Sequence, residues 1–347
     1  MFRGLPGPLP RLVEAKFKAA HASKDLLFSP TELAIIRTSK DIPFQLRYCP
    51  TLAKKPLPKS ANATPKQKID VFDNPSPALL VADIPATNPS HIIVLNKFPI
   101  IKEHFILATK DNKAQTHLLE AIDLEATYAC MKSWESSDYV RGRMFAFFNS
   151  GDHSGASQPH RHIQLLPLES MRDGDATDDW SLLIDILMLS SQAQAEGAPS
   201  GVLQHPDVPF THFGRKFESE PSGDELLRTY NELYNLAREA VERFIVANPQ
   251  QLALHSTEGG NLPISYNMAL TTNGMVVLPR RAEGAMCKRD DGSEVGFVAL
   301  NGTILGGTLM VKHQEEWDLL RAKPEVLDQL LLAIGIPKEA SWSKSRV

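Results

Sequence analysis

The most constraining feature of this sequence is one segment, residues 147–167, which reads FFNSGDHSGASQPHRHIQLLP. Its second half, residues 160–166, alternates polar and apolar residues as a half-buried β-strand does. Side chains two positions apart on a strand share a face, roughly 6.5–7 Å from each other. We therefore expect His160, His162 and Gln164 to lie on one face, with the apolar residues between them on the other. The fold must present this face in a cleft or to solvent.

A run of small and polar residues, 150–157, precedes this strand. Few side chains stand in the way of its backbone N–H groups, which can approach an anion closely. A neutral imidazole is a good nucleophile near pH 7, because its free pKa is about 6.5. Attack of histidine on a phosphoanhydride gives a covalent nucleotidyl-histidine. Gln164 does not titrate, so it suits hydrogen bonding to the phosphoryl group. The pattern thus favours chemistry at phosphorus.

Spacing alone leaves two other interpretations open. His160 and His162 could bind a metal ion as a pair, since neutral imidazole is a common metal ligand. They could also be polar residues on a strand that faces solvent, because a short motif is a hypothesis and not a proof.

The order Asn149, small-residue loop, Ser157, His160, His162, Gln164 resembles the histidine triad (HIT) superfamily. Glutamine in the third place is similar to the transferase branch of that superfamily. Within this branch the chain resembles the fungal diadenosine tetraphosphate phosphorylases, also called ATP adenylyltransferases. The resemblance covers roughly residues 45–335, and its other pieces are RYCPTLAKKP at 47–56, VLNKFP at 94–99, PFTHF at 209–213, SYNMALT at 265–271 and GGTLMVK at 306–312.

The resemblance implies a reversible phosphorolysis of diadenosine tetraphosphate. His162 would attack an α-phosphorus, release ATP and carry an adenylyl group, which phosphate would then take up to give ADP. His160 would orient the site, Ser157 would hydrogen-bond the leaving oxygen, and a backbone carbonyl would hold the tautomer of His162. The resemblance places the substrate contacts at Lys54, Asn96 (ribose), Lys97 (phosphate), Asn149, Gly155, Ala156, Ser157, Gln158, Gln164, Asn267, Thr271, Met275 and Arg280.

No covalent cofactor and no protein-bound metal are expected, although Mg²⁺ should accompany the polyphosphate without a dedicated carboxylate cluster. Two alternatives remain. A hexose-1-phosphate uridylyltransferase shares the His-x-His-x-Gln motif, but this chain lacks any CxxC zinc pattern. A non-catalytic nucleotide sensor would keep the anion loop and would not need the two histidines.

Composition limits the class of protein. The 347 residues are 42% hydrophobic and 22% charged, as in ordinary globular proteins, and the net charge of −4 does not suggest a nucleic-acid partner. A nucleotide enzyme needs only a local basic cleft. Three scattered cysteines, Cys49, Cys130 and Cys287, fit a reducing compartment. Without an apolar run near 18 residues or a secretory signal, we expect a protein of the cytosol, or of both cytosol and nucleus, with no membrane partner; the oligomeric state is left open.

The periodicity predicts an α+β protein. By the HIT-like resemblance it should have two pseudo-duplicated antiparallel sheet-plus-helix halves that form one compact unit. The expected parts are an N-terminal segment 1–43, a catalytic half 44–168, an insertion 169–204, a second half 205–335 and a tail 336–347. Helices are predicted at 12–21, 111–134, 180–189, 223–247, 315–320 and 325–333. Strands are predicted at 44–48, 78–83, 91–95, 104–108, 143–148, 160–166, 264–271, 275–278 and 308–311. Residues 54–74 should form a surface loop, and the resemblance implies that Lys54 closes from it over the polyphosphate.

Overall fold

The computed structural model of the chain describes residues 4–5, 7–54, 70–135, 142–172, 177–189 and 199–338. The helices within these ranges are α1 (Leu9–Ala22), α2 (Ala121–Glu135), α3 (Leu168–Met171), α4 (Leu183–Leu189), α5 (Gly223–Ala247), α6 (Gln314–Ala322) and α7 (Pro324–Ile334). The strands are β1 (Glu32–Arg37), β2 (Pro43–Tyr48), β3 (Leu80–Ile84), β4 (His91–Leu95), β5 (Phe105–Thr109), β6 (Met144–Ser150), β7 (His162–Pro167), β8 (Phe213–Lys216), β9 (Ser265–Thr271), β10 (Gly274–Arg280), β11 (Gly284–Lys288), β12 (Glu294–Ala299) and β13 (Thr308–Val311).

The longest helix, α5, begins and ends where the sequence predicts. Ser222 caps it: its hydroxyl accepts from the backbone N–H of Glu225 at 3.3 Å, and the Glu225 carboxylate accepts from the backbone N–H of Ser222 at 2.7 Å. This reciprocal pair satisfies two backbone donors that a helix start would otherwise leave open. The apolar stripe through Leu226, Tyr230 and Leu233 is buried against the sheet and α2.

The central sheet has eight strands in the order β3-β4-β5-β7-β6-β9-β10-β8, and all neighbours are antiparallel. Strands from both predicted halves, including those predicted at 264–271 and 275–278, therefore share one sheet and do not form two. The two parts join where β6 pairs with β9, with Asn149 opposite Asn267. Pairing along this edge satisfies backbone groups that two separate sheets would leave exposed. The pseudo-duplication and the segment boundaries stay predictions.

The sheet lies between two layers. Helices α1, α2 and α5 cover one face, and its core includes Phe148, Trp134 and Tyr230. The other face packs under β1, β2, β13 and α4, around Phe145 and Phe147. In this second layer β13 pairs in parallel with β2, so residues near the two ends of the chain are held together. On the face that packs under β1, β2, β13 and α4, neighbouring ends of β6, β7 and β9 carry the polar residues Asn149, His162 and Asn267.

Helix α2 and strand β7 both begin later than the sequence predicts, for one shared reason. Helix α2 begins at Ala121, not at residue 111, because residues 113–115 run extended beside residues 159–161. The backbone bonds from Gln115 to Pro159 and from Arg161 to Lys113 are both 2.7 Å. For the same reason β7 begins at His162, with His160 in an isolated bridge before it. The strand is also buried on both faces, not half-buried, with only Gln164 partly exposed.

Of the helices in the described residues, none has the length and apolar character that a membrane span requires.

Candidate active site

His162 is the first residue of β7, and a backbone carbonyl two residues earlier orients its ring. Its Nδ1 donates to the backbone carbonyl of His160 at 2.8 Å, as predicted, so the lone pair is on Nε2. Burial lowers the pKa of His162 to about 4, although the hydrogen bond to His160 opposes this shift. Because burial disfavours the charged form, the imidazole is neutral at pH 7. A neutral ring with a fixed tautomer is the state that a histidine nucleophile requires.

Gln115 fixes the position of His162, and sequence reasoning missed this residue. The buried side-chain amide donates to the backbone carbonyl of Asn149 at 2.7 Å and to that of His162 at 3.2 Å. Its Oε1 accepts from the backbone N–H of His162 at 2.7 Å. The paired register of β6 and β7 ends at Phe147 and Gln164, so Gln115 bridges the next step of these strands. No motif surrounds Gln115, and it lies 47 positions from His162.

His160 is engaged at both ring nitrogens. Nδ1 lies 2.8 Å from Asp70 Oδ2, and Nε2 lies 2.8 Å from the Thr109 carbonyl. Burial raises the pKa of Asp70, but the backbone N–H of Phe72 and the His160 side chain outweigh it and hold the pKa below its usual value. His160 therefore acts on the site through its carbonyl, which orients His162.

An aromatic side chain covers both histidines. The Phe72 ring lies 5.2 Å from the His162 ring, centroid to centroid, and meets the His160 ring edge-on at 5.5 Å. Phe72 is 4% exposed, so it excludes water from one side of His162. Phe72 belongs to the predicted loop 54–74, of which residues 55–69 lie outside the described residues.

The side-chain amide of Asn149 is bonded within the protein through its oxygen, so its nitrogen faces the site. Its Oδ1 accepts from Asn267 Nδ2 at 2.9 Å and from the backbone N–H of Gly302 at 2.8 Å. This fixes the orientation of the amide, so Nδ2 is the group that remains to donate to a ligand. Asn149 and His162 lie on the same face of adjacent strands, beside Gln164.

Arg280 lies behind this amide pair and not at the surface. Nη1 donates to Asn267 Oδ1, and Nη2 donates to three backbone carbonyls, the nearest that of Leu300 at 2.8 Å. Burial lowers the pKa of Arg280 to about 9, so it stays charged at pH 7. No carboxylate among the described residues forms an ion pair with it. Its positive charge reaches the site through Asn267 and Asn149.

The small-residue loop needs glycine at Gly151. Its φ is +85°, and a Cβ there would lie 2.4 Å from Ser265 Oγ. The same Oγ accepts from the backbone N–H of His153 at 3.1 Å, which ties the loop to β9. Gly155 also has a positive φ, of 76°. The predicted contacts Ala156, Ser157 and Gln158 follow it at the partly open end of the loop.

The remaining predicted contacts are spread out. Asn96 and Lys97 follow β4, with Lys97 exposed and stacked on Phe98. Lys54 ends a short 3₁₀ helix, Pro50–Lys54, and its side chain lies outside the described residues. The structure does not bring Thr271 and Met275 to the site. Thr271 is buried at the end of β9 far from Asn267, and Met275 faces the core under α5.

Comparison with known proteins decides the family. The family model for the Ap4A phosphorylase N-terminal domain, where Ap4A is diadenosine tetraphosphate, matches residues 3–179. The model for the ATP adenylyltransferase C-terminal domain matches residues 206–337. The chain belongs to the Ap4A phosphorylase family. The predicted resemblance is thereby confirmed.

Relatives of this family match along almost the whole chain. Protein APA1 of Saccharomyces cerevisiae is 29% identical over 341 residues, 96% of each chain. Diadenosine 5',5'''-P1,P4-tetraphosphate phosphorylase 2 of the same yeast is 27% identical over 340 residues, again 96% of each. The crystal structure of yeast Ap4A phosphorylase Apa2 superposes with a TM-score of 0.73 at 25% identity, covering 97% of this chain and 99% of that one. This match confirms the α+β, HIT-like fold.

Proposed function

We propose that the protein catalyses the reversible phosphorolysis of Ap4A to ATP and ADP through an adenylyl group on His162. The observation that carries the proposal is the Nδ1 hydrogen bond of His162 to the His160 carbonyl, which leaves the Nε2 lone pair on a neutral ring. The proposal also rests on the family and on the name of the yeast phosphorylase to which this chain is similar.

The reaction has two displacements. Nε2 of His162 attacks an α-phosphorus of Ap4A; the N–P bond forms, the bridging P–O bond breaks, and its electron pair leaves with ATP. An oxygen of phosphate then attacks the adenylyl phosphorus, the N–P bond breaks, and ADP leaves. The Nδ1 proton stays on the ring throughout. The His160 carbonyl stabilises the positive charge that the ring carries while it is adenylylated.

Several groups would stabilise the charge that develops on phosphorus. Asn149 Nδ2 and the Gln164 amide would donate to the non-bridging oxygens, and Ser157 would donate to the leaving oxygen. Lys54 and Lys97 would neutralise the polyphosphate as point charges. Positioning and charge neutralisation supply most of the acceleration in transfers of this kind.

Mg²⁺ would enter the site with the polyphosphate as part of the substrate. The described residues contain no group of three or more His, Cys, Asp or Glu side chains that could hold a metal ion. Bound to phosphate oxygens, the ion neutralises charge on the leaving ATP. Hydrogen-bond donors and lysines of this chain would surround the anion.

The test is adduct formation from α-labelled Ap4A without phosphate. The wild-type protein should acquire an acid-labile, alkali-stable label that added phosphate releases as ADP. His162→Ala should lose the label and about 10⁴-fold or more of the turnover. His21→Ala, which changes an exposed histidine of α1, is the matched control and should label normally.

Three outcomes would contradict the proposal. Binding of Ap4A without a covalent label would favour a nucleotide sensor. A label transferred from UDP-glucose, with none from Ap4A, would favour a uridylyltransferase. Full turnover by His162→Ala would exclude histidine catalysis at this position.

A further inference from the structure

His104, which neither the motif nor the mechanism above uses, is buried beside Gln164. It directly precedes β5, and the register of β5 with β7 places Ile106 opposite Gln164. His104 and Gln164 therefore lie on the same face of neighbouring strands, as diagonal neighbours. Of the His104 side chain, 8% is exposed.

The tautomer of His104 follows from the hydrogen bonds of Asn96. Asn96 Oδ1 accepts from the backbone N–H of Phe98 at 3.0 Å, so the amide nitrogen is the group that faces the ring. Asn96 Nδ2 lies 3.0 Å from His104 Nδ1 and donates to it. A neutral imidazole that accepts at Nδ1 carries its proton on Nε2. Burial lowers the pKa of His104 to about 4, which keeps the ring neutral at pH 7.

The Nε2–H of His104 is buried without a hydrogen-bond partner of full geometry among the described residues. Gln164 is close to this ring, because a side-chain hydrogen bond with Gln164 raises the pKa of His104 against the larger effect of burial. Catalytic hydrogen bonds are often long or bent without substrate and tighten in the complex. The amide oxygen of Gln164 is an acceptor of the kind that this buried donor lacks.

We propose that His104 is the positioning residue for Gln164. Its Nε2–H donates to Gln164 Oε1, which turns the amide NH₂ of Gln164 toward the phosphoryl oxygens at His162. Each group in this chain then donates a hydrogen bond to the next: the Phe98 N–H to Asn96, Asn96 to His104, and His104 to Gln164. The group of Gln164 that faces the substrate is therefore its amide NH₂, which is a donor. Without this chain the Gln164 amide is free to turn, and its oxygen then faces the anionic phosphoryl oxygens.

The role of Asn96 changes accordingly. Its side chain is committed at both ends, to Phe98 and to His104, so it acts on the reaction through His104. This differs from the ribose contact that the resemblance implies. The catalytic part of the inference rests on the proposed function, whereas the tautomer and the contact with Gln164 do not.

A double-mutant cycle on the adenylylation rate tests the relay. His104→Phe keeps an aromatic ring, removes both nitrogens, and should slow adduct formation about 10–100-fold with KM changed less than about 3-fold. Gln164→Ala should slow it about 10²–10³-fold. The double variant should be no slower than Gln164→Ala, because His104 acts through Gln164. Losses that multiply instead would overturn the proposal.

Two further variants separate a relay from packing. His104→Gln places an amide NH₂ near the former Nε2 and should recover part of the rate, which a purely structural role does not predict. Asn96→Ala should lower kcat in the wild type and have no further effect in His104→Phe. A rise in KM for Asn96→Ala at unchanged kcat would overturn the relay and favour the ribose contact. His212→Phe is the matched control. His212 is a buried histidine that directly precedes the edge strand β8, and β8 lies five strand spacings, or about 24 Å, from β5. The kcat of this variant should equal that of the wild type.

The contact itself is measured by ¹⁵N NMR of the imidazoles, without any substrate. His104 should show the Nε2–H tautomer, and its signal should shift in Gln164→Ala. An Nδ1–H tautomer, or a signal that Gln164→Ala leaves in place, would refute the relay even if the enzyme is active. A wild-type protein that shows the contact but forms no adduct would refute the proposed function and leave the contact standing.

Discussion

Replacing Gln115 with leucine should weaken both the fold and the nucleophile. The substitution keeps the side-chain volume nearly constant and removes three hydrogen bonds, to the carbonyls of Asn149 and His162 and from the His162 N–H. A buried donor or acceptor left unsatisfied costs about 1–3 kcal/mol. Three such groups, less the gain from a more apolar side chain, give a loss of about 3 kcal/mol in the free energy of unfolding.

The same change should slow catalysis. Gln115 holds the backbone on both sides of the site, so its loss frees His162 relative to Asn149. A displacement near 1 Å of a reacting group costs about 10²-fold in rate. We therefore expect Gln115→Leu to form the adenylyl adduct about 10²-fold more slowly, with the pKa of His162 still low because burial, the main cause, is kept.

Denaturant unfolding and the rate of adduct formation are the assays. Gln314→Leu, on the exposed surface of α6, is the matched control and should change stability by less than about 0.5 kcal/mol. Gln115→Glu keeps the acceptor for the His162 N–H but sets a carboxylate oxygen against carbonyl oxygens. Its deficit relative to the wild type should grow as pH rises above about 4.3, where the unfolded-state carboxyl ionises. A Gln115→Leu protein with wild-type stability and rate would refute this reasoning.

Three other predictions follow from burial and backbone geometry. The pKa of His162 is about 4 in the folded protein and near 6.5 in the unfolded protein, so the unfolded state binds the proton first as pH falls. Between pH 7 and pH 5 the free energy of unfolding of the wild type should therefore fall by about 2 kcal/mol more than that of His162→Gln, as measured by denaturant titration. Arg280→Met should lower the free energy of unfolding by about 3 kcal/mol, because it leaves four acceptors without a donor, and it should also lower kcat. A variant with the stability and the kcat of the wild type would contradict the role of Arg280 behind Asn267. Gly151→Ala should lower Tm more than Gly292→Ala, because both have φ above +80° but only the former places a Cβ against Ser265; equal losses would contradict the clash.

Local signals predicted the parts of the fold that short stretches of sequence control. The limits of α5 followed from helical periodicity, and β4 followed from a continuous apolar run between turn residues. The start of α2 was missed, because the pairing of residues 113–115 with 159–161 overrides helical periodicity. Which strands share a sheet was likewise decided by the contact of β6 with β9.

The candidate site divides in the same way. His162 and Gln164 were found because their spacing on one strand brings them to one face, and Asn149 was found because it belongs to the same short segment. Gln115, Asp70, Phe72 and His104 carry no motif.

By itself, the sequence determined the candidate nucleophile, its neighbours in the segment and the family. The tertiary structure decided the tautomer and low pKa of His162, the bridging role of Gln115 and the depth of Arg280. The physical reason is that hydrogen-bond partners and burial depend on residues far apart in the chain, which no local pattern records.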